Sequence, residues 1–315
     1  MATIYAGPGK IFINSIALQP EGENGPINIS INEETAQIAT AMHGRVTEQL
    51  VDQTAEITCK PFDNWGSLAT LFPARIGAKV GATAAALVIG GRPHGAADLA
   101  TKVWTPDGRL YDAVRTAVVG HPSLHLGIGK ALFGDVKVSV IGATGIAMGA
   151  SGYLFTANAI TESAAADPGG NMTMSDFIRG AWIGAWGAVT GFTAIEAEDE
   201  WTVETSVKYS ALKVQGRTLA MKLDSVGFMA KVKPYGPTHT QITGIVGGHT
   251  QGQRLGSADL ILTGPSSKTI TLKNAELRGA GFNFGGTSLG TGEIGFVNEM
   301  QFTAGAPQSL IEFSA

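Results

Sequence analysis

Several stretches of this chain hold residue types that could carry chemistry. VSVIGATGIAMGASG (residues 138–152) runs from strand-like alternation into glycine-rich sequence, with Glu162 twenty residues beyond Gly142. A dinucleotide-binding turn has that layout, because glycines let the backbone approach a pyrophosphate and the acid holds a ribose hydroxyl. Here Gly142, Gly145 and Gly149 are spaced GxxGxxxG, and no β-α-β pattern surrounds them. A nucleotide-binding enzyme using Gly142–Gly149 is therefore the weakest reading. KALFG after GIG fails as a phosphate loop, since Leu124 stands where the first glycine is required and Ala131 replaces Ser or Thr. His121 and His125 (HPSLH) have metal-ligand spacing only on a helix, which Pro122 opposes. On a strand they would lie about 13 Å apart, at ~3.3 Å per residue. His239 and His249 sit in Gly/Thr-rich sequence with no third ligand nearby, and the Ser, Asp and His residues form no nucleophile elbow or triad motif. The expectation is a protein with no catalytic residues, no metal site and no cofactor.

The composition points to an ordered, strand-rich chain. Of 315 residues, 44% are apolar and only 15% charged, which is enough apolar surface to offset the entropy of ordering. The 43 Gly, interspersed with Val, Ile and Thr, favour short strands and many turns over long helices. A net charge of −4 with no long basic run argues against a phosphate-gripping nucleic-acid binder. The single Cys59 excludes an internal disulfide and fits synthesis in a reducing compartment. MATIYAGPGKIF lacks the charged-then-apolar pattern of a signal peptide. FIRGAWIGAWGAVTGFTAI (177–195) is long enough to span a bilayer but carries Arg179 and four Gly, and reads better as the approach to a strand.

The elements themselves recur. GRVTEQLVDQTAEITCKP (44–61) is echoed by GRTLAMKLDSVGFMAKVKP (216–234). Gly44, Arg45 and Asp52 match Gly216, Arg217 and Asp224 at an offset of 172, whereas Lys60 and Pro61 match Lys233 and Pro234 at 173. Ala97-Asp98-Leu99 recurs at 258–260, Asp112-Ala113 as Asn274-Ala275, and KALFGDVKV (130–138) as TSLGTGEIGF (287–296). INISIN (27–32) aligns with the segment from Trp201. The matches keep their order, which predicts an internal duplication. The domains expected are 1–155 and 179–315, joined by a small, polar linker over 156–178. Period-two alternation marks strands at 27–32, 51–60 and 135–140, half-buried on one face. In the second copy Lys222 and Asp224 are out of phase with Lys231 and Lys233, so a β-bulge is expected between Asp224 and Met229. FDNWGSLATLF (62–72) is the one clear helix signal, with Asp63 or Asn64 as cap and Pro73 as stop.

Together the run TAEITCKPFDNWGSLATLFP, WTPDGRLYDAVRTAV and KALFGDVKVSVIG resembles the major tail tube proteins of long, flexible-tailed (siphovirus) bacteriophages. EAEDEWTVETSVKYSALKVQGRTLAMKLDSVG and ADLILTGPSSKTITLKNAELRGAGFNFGGTSLGTGEIGFV resemble the second unit of tandem-domain members. The two resemblances cover most of the chain outside 156–178. They imply an all-β fold with minor α: two tandem β-sandwich or barrel domains, each with a short flanking helix. They also imply a non-enzymatic virion protein, assembled in the host cytoplasm, whose rings stack into a tail tube for DNA ejection. A fused pair would form homotrimeric, pseudo-hexameric rings. The implied partners are further copies of itself, the tape measure, the tail terminator and the tail tip proteins, with double-stranded DNA passing through and no membrane. A tail terminator, or the tube of a contractile or secretion system, is the related alternative.

If one sheet face packs on the core, the polar face of the same strands is free to line the lumen. The lumen-lining candidates are Ser30, Asn32, Glu34, Asp52, Thr54 and Glu56, with Thr202, Glu204 and Asp224 from the second copy. A polar, mildly acidic lining would let phosphates slide where a basic one would hold them. EETAQIATAMHGR (33–45) is the expected inter-ring loop, with Glu33, Gln37, Met42 and His43 as contact candidates.

Overall fold

The computed structural model describes residues 9–21, 26–94, 98–141, 160–170, 178–187, 192–214, 217–235, 257–285, 288–298, 302–303, 306–307 and 309–314. Among these the chain is all-β with minor helix. The first half carries β1 (Lys10–Ile13), β2 (Ile16–Leu18), β3 (Ile27–Thr40), β4 (Gly44–Cys59) and β5 (Ala78–Val80). It continues with β6 (Leu99–Thr105), β7 (Arg109–Gly120), β8 (Leu124–Gly127), β9 (Val136–Val140) and β10 (Ile160–Ala164). The second half carries β11 (Ile183–Trp186), β12 (Ile195–Val214), β13 (Arg217–Pro234), β14 (Ala258–Thr263), β15 (Thr269–Gly285) and β16 (Ser288–Asn298). A small separate pair, β17 (Phe302–Thr303) and β18 (Ala306–Pro307), precedes β19 (Ile311–Ser314).

Two large sheets result. One runs β2-β1-β6-β7-β9-β4-β3, with β10 pairing β7. The other runs β14-β11-β12-β13-β16-β15, and the β14–β15 pairing closes those six strands into a barrel. The main strands of the two halves, β1, β3, β4, β6, β7, β9 and β11 to β16, have one spatial order: first, fourth, fifth, sixth, third, second. Register agrees as well. Ile27 opposes Cys59, which opposes Val136; Trp201 opposes Val232, which opposes Ile294.

The expected bulge lies at Asp224 itself, since Leu223 opposes Tyr209 and Ser225 opposes Lys208. Burial changes parity across it, with Leu223 on one side and Phe228, Ala230 and Val232 on the other. It has a counterpart in β4 at Val51, because Asp52 opposes Glu34 and Leu50 opposes Thr35. A second pair of bulges falls at Val46 and Leu219. Both pairs are spaced 173 apart, as are Lys60 and Lys233. The Gly-Arg and Asp echoes at 172 are thus identities one step out of structural register, and Asp52 corresponds to Ser225. The one-residue difference sits at the hairpin turns, where Thr40 opposes Gly44 but Val214 opposes Arg217.

The halves are interlocked. β8 pairs with β12, and β5 lies parallel to β19, so two first-half strands complete the second sheet. Within the expected linker, β10 adds to β7, and Lys10 Nζ holds Asp167 at 2.8 Å. The helical turn runs from Trp65 to Leu71, with Leu68, Leu71 and Phe72 buried. Its aromatic residues enter the second sheet's core: Phe72 packs on Phe313 and Trp65 on Trp182. The region corresponding to this helix in the second half lies mostly within 236–256, outside the described residues.

Asn64 stands at the N-cap of the helical turn but makes no side-chain capping bond. Asp63 is fully buried and accepts bonds from the Leu132 amide and from Arg179 Nε, both at 2.7 Å, tying three distant segments together. A buried carboxylate is tolerated when such charge-assisted bonds replace its water. His121 is the second tie. Its Nδ1–H donates to the Leu71 carbonyl, which leaves Nε2 to accept from the Tyr209 hydroxyl of β12. Burial holds the imidazole down at about 4 and pushes the Tyr209 hydroxyl up.

Asp63→Ala strands the Leu132 amide and removes the Arg179 partner. We expect a loss of roughly 3 kcal/mol in urea unfolding, the scale for breaking a buried pair on one side. The sign for His121 follows from its lowered value. The unfolded chain takes up the proton near pH 6.5 and the folded one only near 4, so stability is full above 6.5 and drains as pH falls between them. Between pH 7 and 4.5 the urea midpoint of His121→Gln should fall less than that of the wild type, by the equivalent of about 2–3 kcal/mol. Equal acid losses would contradict a neutral, bridging imidazole.

Candidate assembly and lumen surface

Two long hairpins dominate the surface, β3–β4 and β12–β13. Alternation on the β3–β4 hairpin puts Ala55, Ile57 and Cys59 into the core. Beyond that buried base, every described side chain from Ser30 to Gln49 is exposed. A hairpin exposed on both faces has no core to set it, so its apolar residues, Ile31, Ile38, Met42 and Val46, stand in solvent.

Six of the lumen candidates form three cross-strand pairs: Ser30 opposes Glu56, Asn32 opposes Thr54, and Glu34 opposes Asp52. Opposed residues project to one face, so Ser30, Asn32, Glu34, Thr54 and Glu56 share it. Ser30, Asn32 and Glu34 are exposed, and Thr54 and Glu56 half-buried. The side chain of Asp52 lies outside the described residues. On β12, Thr202 and Glu204 are half-buried, and Asp224 is exposed at its bulge.

The face is less acidic than its carboxylates suggest. Glu56 meets Lys137 at 3.4 Å, Glu204 meets Lys231 at 2.6 Å, and Asp224 meets Lys222 at 3.7 Å. Asp224 also accepts the Ser210 hydroxyl at 3.0 Å. The Glu204 bond raises the Lys231 pKa. Glu34 reaches Lys213 of the other hairpin at 3.9 Å, so the tip end of β12 lies beside the middle of β3. Exposed pairs of this kind add at most ~1 kcal/mol each to stability. Their effect is on the surface potential: Glu34, Glu56, Glu204 and Asp224 each have a lysine beside them, and opposite signs cancel within a few ångströms.

The inter-ring candidates are strand and turn, not a free loop. Glu33 and Gln37 belong to β3, while Met42 and His43 form the turn over 41–43. The Glu33 side chain lies outside the described residues; Gln37, Met42 and His43 are exposed, Met42 at 89%. The His43 amide donates to Thr40 Oγ1, and Gly44 leaves the turn at a φ of +62°, a conformation that favours glycine.

The Gly142–Gly149 motif, His239 and His249 lie outside the described residues. His121 and His125 do not share a site: His121 is the buried tie, and His125 bridges Ser123 and Glu200 at the β8–β12 pairing. No group of three or more His, Cys, Asp or Glu that could hold a metal exists among the described residues. Among them, too, no helix is long and apolar enough to cross a membrane. The feature that sequence reasoning missed is the contact between the halves through β5, β8 and Lys213.

Glu56→Lys with Glu204→Lys should leave the fold intact and turn the face basic. We expect the double variant to retain double-stranded DNA in low salt, with log affinity falling by ~0.9 per phosphate neutralised for each log unit of salt. The wild type should show no such retention in fluorescence anisotropy. No protein-family model and no curated protein matches this chain.

Proposed function

We propose that this chain is the major tail tube protein of a long, flexible-tailed bacteriophage. Its two halves are copies of one fold, and three chains supply six domains to each ring. Rings stack into a tube that joins the tape measure, terminator and tip proteins in the virion tail and conducts DNA at ejection. The single observation that supports this best is the repeated hairpin. Two fourteen-residue strand segments, Ile27–Thr40 and Trp201–Val214, pair with partners carrying bulges at corresponding places, and the two hairpins touch where Lys213 meets Glu34. A chain with two like elements side by side is suited to a ring of repeated wall elements. Closing such a ring also removes sheet edges that would otherwise pair without limit.

The charge pattern suits passage better than binding. A basic wall would exchange counter-ions for phosphates and hold the duplex. A wall whose lysines are already partnered by carboxylates offers phosphates little, and polar side chains keep the channel wet. The proposed role therefore needs no catalytic residue and no cofactor.

Negative-stain micrographs of the purified protein at rising concentration test the proposal. Hollow tubes, or rings of threefold symmetry, are expected. Single rings that never stack would instead favour a terminator, and a monomer under every condition would refute a tube protein.

A further inference from the structure

We infer that copies of this chain clasp one another by strand exchange, the hairpin strand Phe282–Gly285 of one copy adding to the outer edge of β3 in the next. The inference rests on the duplication in the function proposed above, but not on tube formation.

The same contact already exists once inside the chain. β8 adds to the outer edge of β12: Leu124 opposes Val203, His125 opposes Thr202, Leu126 opposes Trp201, and Gly127 opposes Glu200. Leu124 and Leu126 are buried there, as are Trp201 and Val203. Polar contacts flank the pairing, with His125 Nδ1 and Glu200 Oε1 3.4 Å apart and Lys130 on Asp199 at 2.8 Å. Close approach needs Gly127, since a Cβ there would lie 2.9 Å from the Glu200 Cβ and 3.0 Å from the Asp199 carbonyl.

Both sides of this contact have a second copy. The offset of 158 that relates Val138 to Phe296 also relates LHLG (124–127) to FNFG (282–285) without a gap. The local hairpins agree: Leu124 opposes Phe133, and Phe282 opposes Thr291, again 158 apart. Gly127 corresponds to Gly285, which keeps the one position that must lack a side chain. On the acceptor side Trp201 and Val203 correspond to Ile27 and Ile29, by their shared register on the next strand.

Among the described residues, the outer edge of β3 pairs with no strand, and Phe282–Gly285 pairs only with β16. Ile27 and Ile29 are half-buried, whereas Trp201 and Val203, covered by β8, are fully buried. One donor strand and one acceptor edge are thus left over, each corresponding in register to a member of a pair the chain satisfies internally. They belong to opposite halves, so the contact is heterologous: it propagates from copy to copy until a ring closes. The partner is a second copy of this chain.

The internal pair of His125 with Thr202 corresponds to Asn283 with Asn28. Opposed residues in an antiparallel pair lie about 4.5–5.5 Å apart at Cα, within disulfide reach. Under mild oxidation, the full-length double variant Asn28→Cys, Asn283→Cys should give a ladder of covalent dimers and larger species on a non-reducing gel. Neither single variant should give a ladder, and His125→Cys with Thr202→Cys should close within one chain without a mass increase. Rings or tubes on the grid with no ladder would overturn the clasp while leaving assembly in place. A chain that neither assembles nor cross-links would overturn both.

Discussion

An open strand edge must find a partner, and much of this structure answers that requirement. Each edge presents unpaired amide and carbonyl groups. The second sheet meets the demand by closing β14 onto β15, and it then recruits β5 and β8 from the other half for its remaining edges. The first sheet is not finished in the same way. β3 stays at its margin, carrying half-buried isoleucines where its counterpart has a buried tryptophan and valine. The difference between the halves is therefore one of supply, since only one neighbouring half exists within a single chain.

The shared strands need fixed positions, and buried polar groups provide them. Asp63 ties the Leu132 loop and Arg179 to the start of the helical turn. His121 joins Leu71 to Tyr209, and the loop at Gly90 and Gly91 exchanges backbone bonds with Leu223. Apolar packing alone tolerates sliding, whereas a carboxylate or imidazole with two directed bonds does not. Trp65, Phe72 and Phe313 then fill the volume these bonds define.

Much of the fold was legible in the alternation of apolar and polar residues. Ala55, Ile57 and Cys59 are buried as their period requires, and the parity break in β13 located a bulge to within a residue. Letter identity was a poorer guide than hydrogen-bond register. Gly44-Arg45 and Gly216-Arg217 look equivalent, yet their turns differ in length, and Val51, not Asp52, is the counterpart of Asp224. Asp63 resembled a cap because it precedes a helical turn; its real partners are 69 and 116 residues away and leave no local signal. The polar face was readable as polar. Its charge pairing was not, because Lys137 reaches Glu56 from a strand that only pairing brings close, and Lys213 reaches Glu34 from a hairpin of the other sheet.

The parallel pairing of β5 with β19 has a consequence in time. Ala78 opposes Ile311, and Val80 opposes Phe313, so more than 230 residues of chain separate the partners. At a synthesis rate of ~5–20 residues per second, β5 waits roughly 10–50 s after leaving the ribosome before its neighbour exists. Over that interval the first half can form its own sheet but must hold β5 and β8 in reserve. The nascent chain therefore cannot complete one half and then begin the other; the two halves mature together, and late.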